Sequence, residues 1–363
     1  MKIIFSGHNN ISLLKHNASL SREQRVLRLS QYLCDSGYEV EIITKSSSSI
    51  QRFKNIEIRK KTIIRLLWAL WEQQPDVLHM HGWKHVALAW LMALLSPMTT
   101  YIWTVDTVPK KWKLLAKLIS WQAQIVCDAI TTPSRYIQYQ IRYRFGLEAT
   151  YIPDTLSPQT APEINLKHFG VRKGQYVVSV ASNTEEIAWL AESYASSRTK
   201  KPLLVLVPGI EGEQKSSRRY PYMRVMPLPG ERALASLAHH AAVVLAISYK
   251  TPLALLLEAM QAERAIIAIT HPFFEETLGV TAQYIKPGDT LAFKEALNSV
   301  APSRVSQLIW GRQAKKRVRH FYAERVLPEY VKLYKKRDAV TIPFDSVIFT
   351  AAAGVVKWQT RKV

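Results

Sequence analysis

The sequence is poor in acidic residues and in cysteine, and it contains no long uncharged apolar run. Asp and Glu together number 28 against 49 Lys and Arg, which gives a formal net charge of +21 at pH 7. A chain with this excess attracts anionic partners such as nucleic acid, phospholipid headgroups or phosphorylated small molecules. Charge alone does not choose among these three classes.

The two cysteines, Cys34 and Cys127, lie in apolar helical contexts without the spacing of a disulfide framework or a metal site. We interpret them as buried thiols in a reducing cytoplasm, and we expect neither a bound metal nor a cofactor. No apolar run reaches the roughly 18 residues that a spanning helix needs. We therefore expect His85 to Met98 to form a buried core helix, with an interfacial helix as the alternative. The start at Lys2 lacks the pattern of a signal peptide.

Several motifs of catalysis and binding are also missing. The sequence has no phosphate-cradling P-loop, no dinucleotide-binding Gly-x-Gly-x-x-Gly, no zinc-ligand spacing and no Ser/His/Asp order. No RNA-binding motif accompanies the basic charge, so we do not expect nucleic acid as a partner.

Short apolar strands alternate with amphipathic helices along most of the chain, and the alternation restarts after a polar linker. This pattern predicts an α/β protein with two Rossmann-like domains that face each other across a ligand cleft, plus C-terminal helices and a short tail. The predicted divisions are a first domain at 1–156, a linker at 157–173, a second domain at 174–322, a C-terminal helix at 323–338 that returns to the first domain, and a tail of unknown role at 339–363.

Glu258 is the one acid on an apolar helix that follows a polar turn and leads into an Ala/Ile strand, within Ser248 to Thr270. A carboxylate among so many apolar side chains costs on the order of several kcal/mol to desolvate unless it is hydrogen-bonded. We expect Glu258 either to face a cleft or to cap a neighbouring loop.

Two further pairs are candidate site residues. His79 and His81 alternate at a strand end before Gly82, and we interpret them as pointing to opposite faces, so that His81 alone lies in the cleft and no metal pair forms. Ser134 and Arg135 begin a helix whose N-terminal amides, together with Arg135, could hold an anion. A plain N-cap is the alternative for Ser134.

Basic residues near Trp68, Trp71 and Trp121 are typical of a membrane interface, although a single-stranded nucleic-acid groove uses similar chemistry. The predicted anionic-surface residues are Arg52, Lys54, Arg59, Lys60, Lys61, Lys110, Lys111 and Lys113. We expect peripheral attachment to the inner face of the membrane.

Five segments in order resemble family 4 glycosyltransferases of the GT-B fold, over about residues 1–335. They are SREQRVLRLSQYLCDSGYEVEIIT (21–44), PDVLHMHGW (75–83), CDAITTPSRYIQYQIRYRFGLEATYIPD (127–154), SYKTPLALLLEAMQAERAIIAIT (248–270) and QYIKPGD (283–289). The resemblance implies transfer of a hexosyl group from a nucleotide-sugar donor to a glycan or lipid-linked acceptor, with retention and without a bound metal.

The resemblance also implies roles for single residues. Glu258 matches the ribose-binding glutamate of the family signature, and Gly209 matches the loop under the nucleotide. Ser134 and Arg135 match a further donor-side helix start. His81 is a candidate catalytic residue, and so is Lys250, because Lys250 occupies the position of the first signature glutamate.

The departures from the family pattern concentrate at donor-contacting positions. Lys250 reverses the charge of the first glutamate, and Glu185 and Glu186 stand where the family has cations. Asp106 stands where it has histidine, and Asp154-Thr155 replaces Asn-Gly. Three hypotheses remain open: an enzyme with reduced activity, an inactive pseudo-glycosyltransferase that binds or scaffolds, and a basic peripheral membrane-binding protein.

Overall fold

The structure is a computed structural model that describes residues 1–8, 22–44, 51–53, 56–60, 63–109, 113–156, 164–210, 220–335, 347–352 and 355–360. Within these ranges the chain forms two compact units. The first unit takes its described residues from 1–8, 30–153 and 326 onward, and the second from 22–29 and 154–325.

The first unit contains an eight-stranded sheet. Its strands are β1 (Lys2–His8), β2 (Glu39–Thr44), β3 (Gln51–Phe53), β4 (Ile56–Lys60), β5 (Val77–His81), β6 (Thr100–Thr104), β7 (Ala129–Thr132) and β8 (Thr150–Tyr151). They lie in the order β3-β4-β2-β1-β5-β6-β7-β8, and only the β3–β4 pair among them is antiparallel. The order reverses between β1 and β5, as in a doubly wound sheet.

Helices connect these strands. They are α1 (Arg22–Asp35), α2 (Ile63–Gln73), α3 (Trp83–Val86), α4 (Ala89–Leu95), α5 (Lys113–Val126) and α6 (Arg135–Phe145). The inner sides of α2, α4 and α5 bury Leu70, Met92 and Ala123 in one hydrophobic core. Because parallel crossovers are right-handed, α2, α4 and α5 lie on one face of the sheet.

The second unit contains a fully parallel six-stranded sheet. Its strands are β9 (Val177–Val180), β10 (Leu203–Val207), β11 (Met223–Pro227), β12 (Val243–Ala246), β13 (Ala265–Ile269) and β14 (Gln283–Ile285). They lie in the order β11-β10-β9-β12-β13-β14, so the strand order reverses between β9 and β12. Both faces are covered, and the central strands are accordingly near-continuous apolar runs.

The remaining elements follow the same alternation. They are α7 (Thr184–Ala195), α8 (Glu231–His240), α9 (Leu253–Gln261), α10 (Pro272–Leu278), α11 (Thr290–Val300), α12 (Arg304–Val318), α13 (Ala323–Tyr334) and an antiparallel hairpin of β15 (Val347–Ala352) and β16 (Val355–Thr360). Among the described residues, none of the helices combines the length and the apolar character needed to cross a bilayer.

The predicted α/β class with two Rossmann-like units is confirmed. The predicted core helix over His85 to Met98 is wrong, because the chain forms two short helices there, with Leu88 outside helical geometry. Trp90, Leu94 and Met98 are exposed. Hydrophobicity alone does not distinguish a core helix from a helix with an exposed apolar side.

The predicted domain boundaries stay a prediction, and Phe169 and Val171 of the predicted linker are buried in the core of the second unit.

Candidate functional site

The point where the strand order of the second sheet reverses is marked by two serines. Ser182 follows β9 and Ser248 follows β12, and their hydroxyl oxygens are 2.5 Å apart. Open α/β sheets bind ligands at the carboxyl ends of the strands beside such a reversal. The loops around Ser182 and Ser248 therefore define the candidate ligand site of this unit.

The first turn of α7 at this site is capped by its own residues. Asn183 Oδ1 accepts a hydrogen bond from the Glu186 amide at 2.7 Å, and Glu186 Oε2 accepts one from the Ser182 amide at 2.7 Å. These are the amides that a helix N-terminus would otherwise offer to an anion. Glu185 adds an exposed carboxylate in the same turn. Glu186 thus has a local structural use, and both acids, which stand where the family has cations, disfavour a diphosphate at α7.

We expect Glu186→Ala to lower the free energy of unfolding by about 1 kcal/mol, because the Ser182 amide loses its acceptor. Urea unfolding measures the change, with the exposed Glu185→Ala as the matched control. Equal effects of the two substitutions would contradict this role for Glu186.

The turn before α9 has a different character. The Thr251 amide donates to the Ser248 carbonyl at 2.9 Å, and the Lys250 amide donates to Ser248 Oγ at 3.3 Å. Pro252 is the N-cap residue of α9 and supplies no side-chain cap. The exposed Lys250 side chain adds a positive charge one turn before the helix. This helix start, unlike that of α7, favours an anion.

Glu258 lies on α9, about 8 Å along the helix axis from Leu253. The residue is half-buried, whereas Leu257 and Ala259 beside it are buried. Contact between Glu258 and a donor stays a prediction.

Gly209 follows Pro208 in the turn after β10 and has a φ of 80°. That left-handed conformation favours glycine. Among the described residues, no atom would lie within 4 Å of a Cβ at this position, so the turn leaves space beside its backbone there. The predicted contact of Gly209 with a nucleotide is untested.

Tyr249 and His271 form a ring pair that the sequence analysis missed. Their centroids are 4.8 Å apart, and Tyr249 is 59% exposed. His271 Nδ1 accepts a hydrogen bond from the Phe273 amide at 3.2 Å, and burial lowers the pKa of His271, which keeps this nitrogen free of a proton. Each residue lies within three positions after the end of a strand, β12 for Tyr249 and β13 for His271. Those positions in the sequence could have indicated that the two rings lie at the same edge of the sheet. The exposed ring can stack against a planar ligand.

In the first unit, His79 and His81 stack with ring centroids 4.6 Å apart. The interpretation that they point to opposite faces of the strand is therefore wrong. Side chains alternate along a strand, so residues two apart share a face.

A buried chain of hydrogen bonds surrounds His79. Its Nδ1 lies 2.7 Å from the hydroxyl of Tyr334 on α13, and its Nε2 lies 2.7 Å from Thr104 Oγ1. Thr104 Oγ1 lies 2.6 Å from Thr131 Oγ1. Burial raises the pKa of Tyr334 well above its ordinary value. His79 thus ties α13 to the sheet of the first unit.

His81 Nδ1 lies 3.5 Å from Asp106 Oδ2, and both side chains are buried. A carboxylate beside an imidazole stabilises the protonated ring and fixes its orientation, which suits proton transfer. The predicted catalytic role of His81 is not tested by this geometry.

Ser134 is the N-cap of α6, where its Oγ accepts hydrogen bonds from the amides of Tyr136 at 3.1 Å and Ile137 at 3.4 Å. The Arg135 guanidinium lies 4.9 Å from the centre of the Tyr151 ring. Both side chains therefore have structural contacts, and anion binding by them stays a prediction.

The predicted anionic-surface residues cannot be placed by their side chains. Lys54, Lys61, Lys110 and Lys111 lie outside the described residues, and Arg52, Arg59, Lys60 and Lys113 lie in strands or a helix without described side chains.

The described part contains no group of three or more His, Cys, Asp or Glu side chains that could hold a metal ion.

Comparison with solved structures identifies the fold. Sucrose-phosphate synthase from Thermosynechococcus elongatus aligns with a TM-score of 0.68 and 14% identity, over 92% of this chain and 98% of that chain. Anabaena HepE in complex with UDP-glucose aligns with a TM-score of 0.71 and 10% identity, over 92% and 99%. A trehalose-phosphate synthase from Burkholderia xenovorans, in complex with glucose-6-phosphate, gives a TM-score of 0.67 and 11% identity, over 92% and 99%. These likenesses show a GT-B fold.

Residues 23–154 match the family model Glycosyltransferase Family 4. The two units thus have the GT-B fold, and residues 23–154 are similar to the family 4 glycosyltransferases. Comparison with curated protein sequences found no match.

Proposed function

We propose that this protein transfers a hexosyl group from a nucleotide-sugar donor to a glycan or lipid-linked acceptor, with turnover lowered by its altered donor site. Retention of configuration, without a metal or cofactor, is part of the proposal. The main support for this proposal is the position of Glu258, which lies on the helix that starts where the second sheet reverses its strand order. A carboxylate there can accept hydrogen bonds from both hydroxyls of a ribose.

Structures of the same fold support the choice of ligands. HepE was solved with UDP-glucose, and the trehalose-phosphate synthase was solved with glucose-6-phosphate. A nucleotide sugar and an anionic sugar acceptor also suit a chain with a net charge of +21. We place the nucleotide against the second unit, between Gly209 and Glu258.

Isothermal calorimetry with UDP-glucose tests this placement. We expect Glu258→Gln to weaken binding about tenfold, because the amide accepts at one atom where the carboxylate accepts at two. The matched control is Glu295→Gln, which changes an exposed glutamate of α11 in the same way. Unchanged affinity in the Glu258 variant would remove this residue from the site.

A pseudo-glycosyltransferase is the second candidate, and the capped start of α7 favours it. The side chains of Glu186 and Asn183 each accept a hydrogen bond from an amide that a diphosphate would use, and Glu186 places a carboxylate beside that position. Calorimetric binding of UDP-glucose without release of nucleoside diphosphate would support this candidate over the enzyme.

Attachment to an anionic membrane is the third part of the proposal, with the protein remaining on the cytoplasmic side. A lipid-linked acceptor would be met at such a surface. Phospholipids present a negative phosphate beside apolar chains. This chemistry fits the basic and aromatic composition of residues 52–71 and 110–121.

A further inference from the structure

The first unit exposes a set of large apolar side chains on three neighbouring helices. Helix α4 packs against both α2 and α5. The exposed residues are Trp68 and Trp71 of α2, Trp90 and Leu94 of α4, Met98 after α4, and Leu114, Leu115, Leu118, Trp121 and Ile125 of α5. We call this set the three-helix apolar face.

The exposed side of α5 follows the helical period. Leu114, Leu118, Trp121 and Ile125 come at intervals of four, three and four residues, and they are 76%, 56%, 66% and 66% exposed. Ile119 and Ala123 on the other side are buried in the core. The helix is therefore apolar on both sides, which is unusual for a helix in contact with water.

The three outer sides belong to one surface. The inner sides of α2, α4 and α5 contribute to the same core, on the same face of the sheet, so their outer sides point away from that sheet together. Isolated exposed apolar residues are normal in proteins, but a contiguous group marks an interaction site.

The positive charge of the segment around α5 indicates which kind of partner fits the three-helix apolar face. Residues 107–127 contain the lysines Lys110, Lys111, Lys113 and Lys117 and no aspartate or glutamate. Lys117 is exposed within the apolar row of α5. Glu72 of α2 is exposed, and it accepts a hydrogen bond from Trp68 Nε1 at 3.1 Å.

We propose that the three-helix apolar face lies in the headgroup region of a bilayer that contains anionic lipid, with its leucines and tryptophans in the upper acyl region. Tryptophan favours this depth, because its ring is apolar and its N–H stays near water. Lysines carry their stems along the apolar layer and hold their charges at the phosphates. A second copy of the chain fits less well, because a two-fold contact would bring the lysines of both copies together.

This inference deepens the membrane partner proposed above, and it does not depend on glycosyl transfer. It also differs from attachment by basic residues alone. High salt reverses attachment that is purely electrostatic. Attachment through apolar side chains inserted in the bilayer persists in part at high salt.

The test is sedimentation of the whole chain of residues 1–363 with vesicles of phosphatidylcholine, with and without phosphatidylglycerol, at low and high salt. The main variant is Leu118→Ser/Trp121→Ser, which changes two exposed positions of α5. The matched control is Val305→Ser/Leu308→Ser, which changes exposed apolar residues at the same spacing on α12, a helix that also carries basic residues. Thermal unfolding confirms that both variants fold.

We expect binding to anionic vesicles that persists partly at high salt, and at least about a tenfold weaker partition for the α5 variant with no change for the control. Binding that salt reverses fully and that the α5 variant leaves unchanged would overturn the proposal in favour of basic residues alone. Absence of vesicle binding would also overturn it. Self-association in sedimentation equilibrium that the α5 variant abolishes would then assign the face to a second copy.

Discussion

Gly311→Ala is expected to destabilise the second unit by about 1 to 3 kcal/mol, although alanine forms helices better than glycine. Gly311 is buried on α12, against the turn that follows α9. A Cβ at this position would overlap the backbone carbonyl of Glu263. That carbonyl belongs to a residue in the left-handed conformation, with φ 58°, which leaves the turn little freedom to move.

A second contact holds the same turn. Lys315, one helical turn after Gly311, donates a hydrogen bond of 2.7 Å to Glu263 Oε1, and this bond lowers the pKa of Glu263. A shift of α12 away from the turn would stretch it. The gain in helix propensity, about 1 kcal/mol, is therefore smaller than the expected cost of overpacking, about 1 to 3 kcal/mol, plus the weakened contact with Glu263.

Urea unfolding followed by circular dichroism measures the effect of Gly311→Ala. Gln313→Ala, at an exposed position of the same helix, is the control and should change stability by less than about 0.5 kcal/mol. A Gly311 variant that is as stable as the wild type, or more stable, would show that the turn yields at little cost.

The buried strands of the second sheet are readily recognised in the sequence. Strands such as β13 are covered on both faces, so they stand out as uninterrupted apolar runs between polar turns. The alternation of strands and helices did not by itself give the bounds of α7 and α10. Their start signals were present, since Asn183 and Glu186 have the spacing of a capping box and Pro272 is the first residue of α10.

Other contacts of the candidate site could not be predicted from local pattern. His79 and Tyr334 are 255 positions apart, and only the return of α13 to the first unit brings them together. The Tyr249–His271 pair depends on the neighbouring placement of β12 and β13. The position of Glu258 on a helix beyond a strand end was predictable, because strand, turn and helix follow one another within about 20 residues.

The departures from the family pattern are connected by charge. Glu186 places a carboxylate at the start of α7, whereas Lys250 places an ammonium before α9. Each stands where the family has the opposite charge. Asp154, which replaces asparagine, pairs with Arg25 of α1, and Arg28 donates to the Thr155 carbonyl. Glu186, Asp154 and Thr155 therefore have local partners that a donor would have to displace or avoid.

The largest expected effect on catalysis concerns Lys250. The glutamate that the resemblance implies at this position would accept hydrogen bonds from hydroxyls of the donor sugar, whereas a lysine offers three donors, no acceptor and the opposite charge. Loss of about 3 kcal/mol of transition-state stabilisation lowers turnover about 100-fold. We therefore expect turnover at least about 100-fold below that of an ordinary family member, and we expect Lys250→Glu to raise it.

Purified protein and its Lys250→Ala and Lys250→Glu variants should be screened with uridine, guanosine and adenosine diphosphate sugars, with release of nucleoside diphosphate as the signal. Lys316→Glu makes the same charge change at an exposed site on α12, and it should have no effect. Donors with a uronic acid belong in the screen, because an exposed lysine can pair with a sugar carboxylate. Robust turnover of any donor that disappears in Lys250→Ala would show that the lysine is a working substitute for the glutamate. In that case the reversed charge would set the choice of donor, and the expectation of lowered catalysis would be wrong.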